Sequence, residues 1–294
     1  MSGATLASPV PPTVGIIGTG RLGSALAQWF SSTGQAVSVV SREPARAATL
    51  AHGCGRLAHA TDPAGLRGAH FVFLAVPDDR IGEVCKRASG HWRAGQIVLH
   101  SSGITGLDAL RPARDAGAGV ACAHPVLTIG PGGAALASAA WGVEGDSPAT
   151  TSAVGSLLRG AGAERVFGLP TDRVRYHLAC VMASNLVTVL LDEARRMARV
   201  SGLVDGDLDV PLARLAHAAA AAAAEGDAAT ALTGPAVRGD AETVRAHLGA
   251  LRGDDALRDV YRLLTDRAVA MGERAARIAA DQAAAVRRVI GGGV

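Results

Sequence analysis

The hydrophobic rhythm of this chain changes once. Up to about residue 168, short β-branched apolar runs alternate with helical patterns. Beyond that point apolar positions recur at helical spacing almost without breakers. The first part predicts strands at 14–18, 36–41, 70–76 and 96–100, and shorter ones at 120–123 and 141–144. Residues 22–32 and 44–52 read as helices between them, the second with Pro44 as its starter. Strands alternating with helices imply a parallel sheet covered on both faces. The second part predicts helices over 172–200, 211–231, 240–251 and 254–289, the last long enough to be broken. The expected class is therefore α/β: a sheet domain at 13–168, then an all-α domain at 169–294. Residues 1–12, with Pro9, Pro11 and Pro12, read as a loose tail.

Composition narrows the picture. A chain of 294 residues suits two domains with sizeable cores. The net charge is +3 and the basic residues are scattered, with no stripe of the kind that grips nucleic acid. Cys54, Cys85, Cys122 and Cys180 lie far apart without a CxxC pair, so a reduced cytoplasmic protein without a metal site is expected. The tail lacks the charged start and apolar core of a signal peptide. No apolar run reaches the roughly 18 residues of a membrane helix. The alanine tract after His217 ends at Glu225-Gly226-Asp227 and reads as a soluble helix. The expected ligand is a small molecule.

The chemistry starts at Val14-Gly15-Ile16-Ile17-Gly18-Thr19-Gly20-Arg21-Leu22-Gly23. This is GxGxxG between a strand and a helix, the setting that gives the motif meaning. Gly18 permits the tight turn, Gly20 lets the backbone approach a pyrophosphate, and Gly23 lets the helix pack close. The pyrophosphate would sit at the helix N-terminus, where free N–H groups favour an anion. A Rossmann-type sheet follows. Where an NAD site carries an acid at the tip of the second strand, this chain has Ser41-Arg42-Glu43. Ser41 can donate to a 2′-phosphate and Arg42 can pair with it, which favours NADP. The competing reading leaves Arg42 solvated and gives the ribose to Glu43. Arg21 is a second candidate for the phosphate.

Ligands of open α/β sheets bind beyond the carboxyl ends of the strands. Those ends read Ala75-Val76-Pro77-Asp78, His100-Ser101-Ser102-Gly103 and Cys122-Ala123-His124-Pro125. Ser101, Ser102 and the backbone at Gly103 are candidates to hold a substrate carboxylate or carbonyl, and His124 to hydrogen-bond it. A capping or core histidine remains an equal reading. In the helical part, His177, Ser184 and Asn185 interrupt an apolar helix expected to be buried, with His177 and Ser184 nearly on one face. Buried polar groups must be paired, by the fold or by a ligand. Arg238 stands beside Asp240, a good N-cap, where it could meet an anion or simply be solvated.

The segments GIIGTGRLGSAL, FLAVPDDRI, HSSG, AHP, RYHLACVMASN and LTGPAVRGDAETVRAHL together resemble bacterial proteins that carry a Rossmann-like domain followed by a helical C-terminal domain of unknown function. That group is similar to the 6-phosphogluconate dehydrogenase-like superfamily, which includes ketopantoate reductase, pyrroline-5-carboxylate reductase and the β-hydroxyacid dehydrogenases. The resemblance implies an NADP-binding oxidoreductase that forms a homodimer through its helical domain. Ketopantoate reductases and β-hydroxyacid dehydrogenases carry a Lys four residues before an Asn. If Asn185 is that Asn, the Lys position holds Val181, and the single lysine of the chain, Lys86, lies elsewhere. His177 is then the candidate acid, since a histidine titrates near neutrality. The leading expectation is an NADPH-dependent reductase of a small 2-keto acid such as ketopantoate. In it His177 protonates the alkoxide, Asn185 and Ser102 orient the carbonyl oxygen, and Arg238 or His124 holds the carboxylate. A cyclic-imine reductase, which needs less of a dedicated acid, and a non-catalytic NADP-binding sensor are the alternatives. Hydride exchange with a deazaflavin is a fourth.

Overall fold

The structure, a computed structural model, describes residues 12–130, 136–203 and 206–292. The chain divides into two compact units between Ser184 and Asn185. The first is built on an eight-stranded sheet: β1 (Val14–Ile17), β2 (Val37–Val40), β3 (Ala58–Ala60), β4 (Phe71–Leu74), β5 (Ile97–His100), β6 (Gly119–Val126), β7 (Ala140–Gly145) and β8 (Arg165–Gly168). Their order is β3-β2-β1-β4-β5-β6-β7-β8. Helices α1 (Arg21–Ser32), α2 (Pro44–Gly53), α3 (Ile81–Arg87), α4 (Arg111–Asp115), α5 (Pro148–Gly160) and α6 (Arg173–Ala183) complete the unit.

Side chains alternate across the strands and supply two cores. On β4, Phe71 and Phe73 join Val14, Ile16, Val37 and Val39 under Leu26 and Phe30 of α1. Val72 and Leu74 face the other way, towards Leu66, Ile81, Cys85 and Trp92. The aromatic rings are few but concentrated. Trp141 stacks on Trp29 (ring centroids 5.5 Å, interplanar 10°), Trp29 meets Phe30 at 4.9 Å, and Phe30 meets Phe73 at 5.5 Å. The indole N–H of Trp29 donates to the Ala161 carbonyl at 2.9 Å, so the stack also fixes the end of α5.

Three features depart from the sequence expectation. First, the sheet is not wholly parallel. β7 runs antiparallel to β6, because the connection between them carries no α-helix among its described residues and the chain reverses instead of crossing over. α5 then returns the chain to β8, parallel to β7. Second, the domain boundary expected after residue 168 falls at Ser184, because α6 packs with the sheet unit. Third, the helix expected over 172–200 is broken. Ser184 leaves helical geometry (φ −129, ψ −73), and its hydroxyl donates to the Cys180 carbonyl at 2.7 Å.

The apolar face of this region is not buried within the chain, contrary to expectation. Val174, Leu178 and Met182 are exposed on α6. By composition Arg173–Val200 is apolar enough to cross a membrane, with a window of mean hydropathy 1.4, although none was expected. The break splits it into helices of 11 and 16 residues, each short of the roughly 20 that a crossing needs.

The second unit contains α7 (Asn185–Val200), α8 (Asp209–Ala224), α9 (Ala228–Ala231), α10 (Pro235–Arg238), α11 (Ala241–Ala250), α12 (Asp255–Arg274) and α13 (Ala280–Gly291). Val244 and Leu248 of α11 close on Val269 of α12 and on Ala283 and Val286 of α13. Arg277, in the turn between α12 and α13, donates to the carbonyls of Ala229 and Thr230, both at 2.8 Å.

Trp141 is fully buried and ties β7 to α1 through Trp29. Trp141→Ala is expected to destabilise the sheet unit by about 3–5 kcal/mol, the usual cost of emptying a large aromatic site, read from urea unfolding. A loss below about 1 kcal/mol would show that the stack is peripheral.

Candidate active site

The loop from β1 into α1 is built by contacts that a side chain would forbid. Gly18 has φ +118, and a Cβ there would lie 2.2 Å from the Ala75 carbonyl oxygen. A Cβ on Gly23 would lie 2.1 Å from the carbonyl oxygen of Gly18. Gly20 differs: its φ is −75, and nothing lies within 4 Å of the Cβ position. No side chain caps α1. The N–H groups of its first turn are thus left for another acceptor, and the space in front of Gly20 is open to one.

That space belongs to a cleft of about 1040 Å³. Thr19, Gly20, Ser41, Arg42 and Pro77 line it, as does Arg46, which sequence reasoning missed. Its volume is at the upper end for ligand pockets, and its glycine cradle fits the pyrophosphate of a dinucleotide. The Thr19 and Ser41 hydroxyls are 3.3 Å apart, and Ser41 accepts from the Glu43 N–H at 3.3 Å. Glu43 is paired with Arg46 at 3.4 Å. Arg21 is exposed and outside the lining, and the side chain of Leu22 packs into the core beneath α1.

At the far side of Pro77 the strand ends hold a polar cluster. Asp78 accepts from the Ser102 hydroxyl at 2.7 Å. The same hydroxyl lies 2.9 Å from Thr105 Oγ1 and accepts from the Thr105 N–H at 3.0 Å. Ser102 is 5% exposed. Its hydroxyl is engaged in holding the 102–105 turn, so the expected role in orienting a carbonyl oxygen does not fit it. Ser101, beside it, is half-buried.

His100 is fully buried. Its Nδ1 accepts from the Ser102 N–H at 3.2 Å, which places the ring proton on Nε2, an atom without a partner among the described residues. Burial, aided by the nearby charge of Arg173, pushes its pKa down to about 4. Cys122 donates its S–H to the Ser102 carbonyl at 3.2 Å, and burial pushes its thiol up to about 11. Arg173 of α6 reaches into this group. It pairs with Glu144 of β7 at 2.9 Å and donates to Cys122 Sγ at 3.5 Å and to the Thr105 carbonyl at 3.3 Å. These contacts are why α6 joins the sheet unit.

Above them stand two more histidines. His124 Nδ1 is 2.7 Å from the Tyr176 hydroxyl, and its ring meets that of His177 at 6.1 Å. Burial, followed by the charges of His177 and Arg173, pushes His124 down to about 4. Both rings face Gly103. A Cβ there would come within 2.7 Å of His177 Cδ2 and 2.9 Å of His124 Nε2.

The expected residues Gly103, His124 and His177 therefore converge, over Ser102. Ser184 is satisfied by its own helix. Asn185 opens α7 and Arg238 closes α10, both in the second unit, where Asp240 caps α11 by accepting from the Thr243 N–H at 3.0 Å. Sequence reasoning missed Arg173, Tyr176 and Glu144, whereas the core reading weighed for the strand-tip histidines holds for His100. The apolar run 178–183 that follows Tyr176-His177 was the one available signal.

Comparisons with known proteins agree with this architecture. Residues 5–125 match the family model of the Rossmann-like domain, and residues 139–268 match that of a domain of unknown function, DUF2520. The chain thus carries both matches in one polypeptide, the Rossmann-like one first. Among solved structures it is similar to a candidate NADP oxidoreductase from Bacteroides fragilis (22% identity, 90% of this chain and 100% of that one, TM-score 0.75). A pyrroline-5-carboxylate reductase from Coxiella burnetii shares 17% identity over 90% of this chain and 98% of its own, with a TM-score of 0.60. A reductive aminase from Aspergillus terreus, solved with NADPH and ethyl-5-oxohexanoate, shares 16% over 96% and 93%, with a TM-score of 0.59. At these identities the likeness is one of fold. No curated protein matches the sequence.

The depressed histidines make a stability prediction. Between about pH 6.5 and 4 the unfolded chain binds protons that His100 and His124 refuse in the fold. Stability is thus expected to be level above pH 6.5 and to fall below it, by up to about 3 kcal/mol from His100 alone at 1.36 kcal/mol per unit. Urea unfolding at pH 7.5, 6 and 5 measures it, and His100→Asn should flatten the slope. An unchanged slope in that variant would contradict the assignment.

Proposed function

We propose that the chain is an NADPH-dependent reductase of a small 2-keto acid, ketopantoate being the first candidate. One observation carries the reading. Pro77 and Asp79 line the glycine cleft, and Asp78 between them bonds to Ser102 beneath the two histidines. The place for a dinucleotide and the polar cluster are thus joined at one strand tip. The backbone from Gly18 to Gly23 would hold the pyrophosphate. Ser41 and Arg42 would hold the 2′-phosphate, with Arg46 in reach of the same end of the cleft. Ala75, Val76 and Pro77 would form the wall at the nicotinamide end. The bound cofactor would supply hydride to the substrate carbonyl carbon.

The residues of the chain do the rest. As the carbonyl π pair moves onto oxygen, His177 gives that oxygen a proton. His177 is half-buried and has no hydrogen bond among the described residues, so its ring is available. Ser102 and Asp78 position the strand tip, and Gly103 lets both imidazoles approach the backbone. Lys86, exposed on α3, takes no part.

A second reading, reduction of a cyclic imine, draws support from the low basicity of His124 and the absence of a buried lysine. An imine can arrive protonated and needs less of a local acid. The named activities of the Coxiella and Aspergillus proteins point the same way. The exposed apolar residues Leu186, Val189 and Leu190 of α7 support a homodimer through the helical unit.

The test is NADPH oxidation by the full chain against 2-keto acids and cyclic imines. Turnover of a keto acid is expected; turnover of imines alone would favour the second reading. Tight NADPH binding without turnover of either would make the protein a non-catalytic sensor. Arg42→Ala is expected to weaken NADPH by about 10- to 100-fold, the worth of one charge-assisted contact, and to leave NADH unchanged. Equal loss for both nucleotides would remove Arg42 from the phosphate. His177→Ala should lower kcat by about 10²- to 10⁴-fold at unchanged NADPH affinity.

A further inference from the structure

We propose that Tyr176 locks His124 in its Nε2–H tautomer, and that this N–H is the donor to the carbonyl oxygen of the substrate. The donor role rests on the reductase reading above; the lock does not.

The phenol and the imidazole are placed for one strong bond, with Nδ1 2.7 Å from the hydroxyl and the rings edge to face at 80°. Phe167 of β8 meets the tyrosine ring at 6.3 Å and 65°. The hydroxyl proton needs an acceptor, and an imidazole nitrogen is much better than the thiol of Cys180, one turn along α6. Burial holds Tyr176 well above the usual phenol range, so that proton is present at every working pH. If Tyr176 donates to Nδ1, neutral His124 must carry its own proton on Nε2.

Nε2 has no hydrogen-bond partner among the described residues. A Cβ on Gly103 would lie 2.9 Å from it and 2.7 Å from His177 Cδ2, so the two imidazoles press side by side on the glycine backbone. A carbonyl oxygen bonded to Nε2 would have the second imidazole as its neighbour, and the two differ in duty. His124, kept uncharged by burial and by the cations beside it, can donate a hydrogen bond without releasing a proton. His177 can release one. As the carbonyl carbon takes up hydride, the π pair moves to oxygen, His124 N–H stabilises the growing charge, and the oxygen takes its proton from His177. The imidazole of His177 is left neutral and recovers a proton from solvent. The side chain expected to orient that oxygen, Ser102, already donates to Asp78.

Long-range ¹H–¹⁵N spectra of the full-length ¹⁵N-labelled protein, without substrate, read the tautomer directly, and His124→Gln assigns the signals. A single Nε2–H form is expected in the wild type, and a mixture in Tyr176→Phe. An Nδ1–H form in the wild type, or no change in Tyr176→Phe, would overturn the lock. Under turnover, Tyr176→Phe should lower kcat about 10- to 100-fold, the range for outer partners of a functional imidazole, with NADPH affinity kept within twofold. Gly103→Ala, whose methyl group must displace one or both imidazoles, should lose turnover. Full activity in either variant would overturn the donor role. If the tautomer is as expected but the wild type reduces no carbonyl or imine, the reductase reading falls, and the donor role with it, while the lock stands.

Discussion

The backbone touches itself at the end of β1, and the candidate site depends on that contact. The position of a Gly23 Cβ is 2.1 Å from the Gly18 carbonyl, and that of Gly18 is 2.2 Å from the Ala75 carbonyl. Three segments (the turn, the first residues of α1 and the tip of β4) therefore converge without any side chain between them. This closeness aims the uncapped start of α1 across the cleft and sets Pro77 and Asp78 where they are. Asp78 then fixes Ser102, and the Ser102 turn presents Gly103. The same device recurs there, since no side chain at Gly103 is compatible with His124 and His177 in place. Each half of the site rests on a close approach that glycine permits.

Charge is arranged around the Gly103 cluster in an unequal way. The guanidinium of Arg173 is nearly buried, with its side chain 10% exposed, and is matched by Glu144. A buried guanidinium must be matched in this manner to be tolerated. The dry surroundings, aided by its field, hold His100 and His124 neutral, while burial keeps the Cys122 thiol protonated against the pull of Arg173. A cluster rich in titratable groups thus carries few charges, which suits stabilisation of an oxyanion that appears only during reaction.

The strand–glycine–helix start, the two-part organisation and the tip residues Ser41, Arg42 and Pro77 were legible in the sequence because each rests on local pattern. What was not legible rests on distant pairing. β3 and β8 are short strands, recognisable only by their partners across the sheet. The reversal at β7 follows from a connection with no α-helix among its described residues. The break at Ser184 is hidden because Ser184-Asn185 sits in an unbroken helical rhythm. Arg173 and Tyr176 meet Cys122 and His124 across 51 and 52 residues, and no spacing rule links such positions. Ser102 was read as a free hydroxyl because its partner, Asp78, is 24 residues away.

The claim at the centre of this account is that the opening at Gly20 receives the pyrophosphate of NADPH. Gly20 has ordinary backbone angles and empty space beside it, so a larger residue there disturbs the ligand and not the fold. Titration of NADPH into the wild type and Gly20→Val, with melting temperatures of the free proteins alongside, is the direct measurement. The account predicts saturable binding to the wild type, lost by at least about 100-fold in Gly20→Val (roughly 2.7 kcal/mol or more), at an unchanged melting temperature. Equal NADPH binding by the two proteins would contradict it.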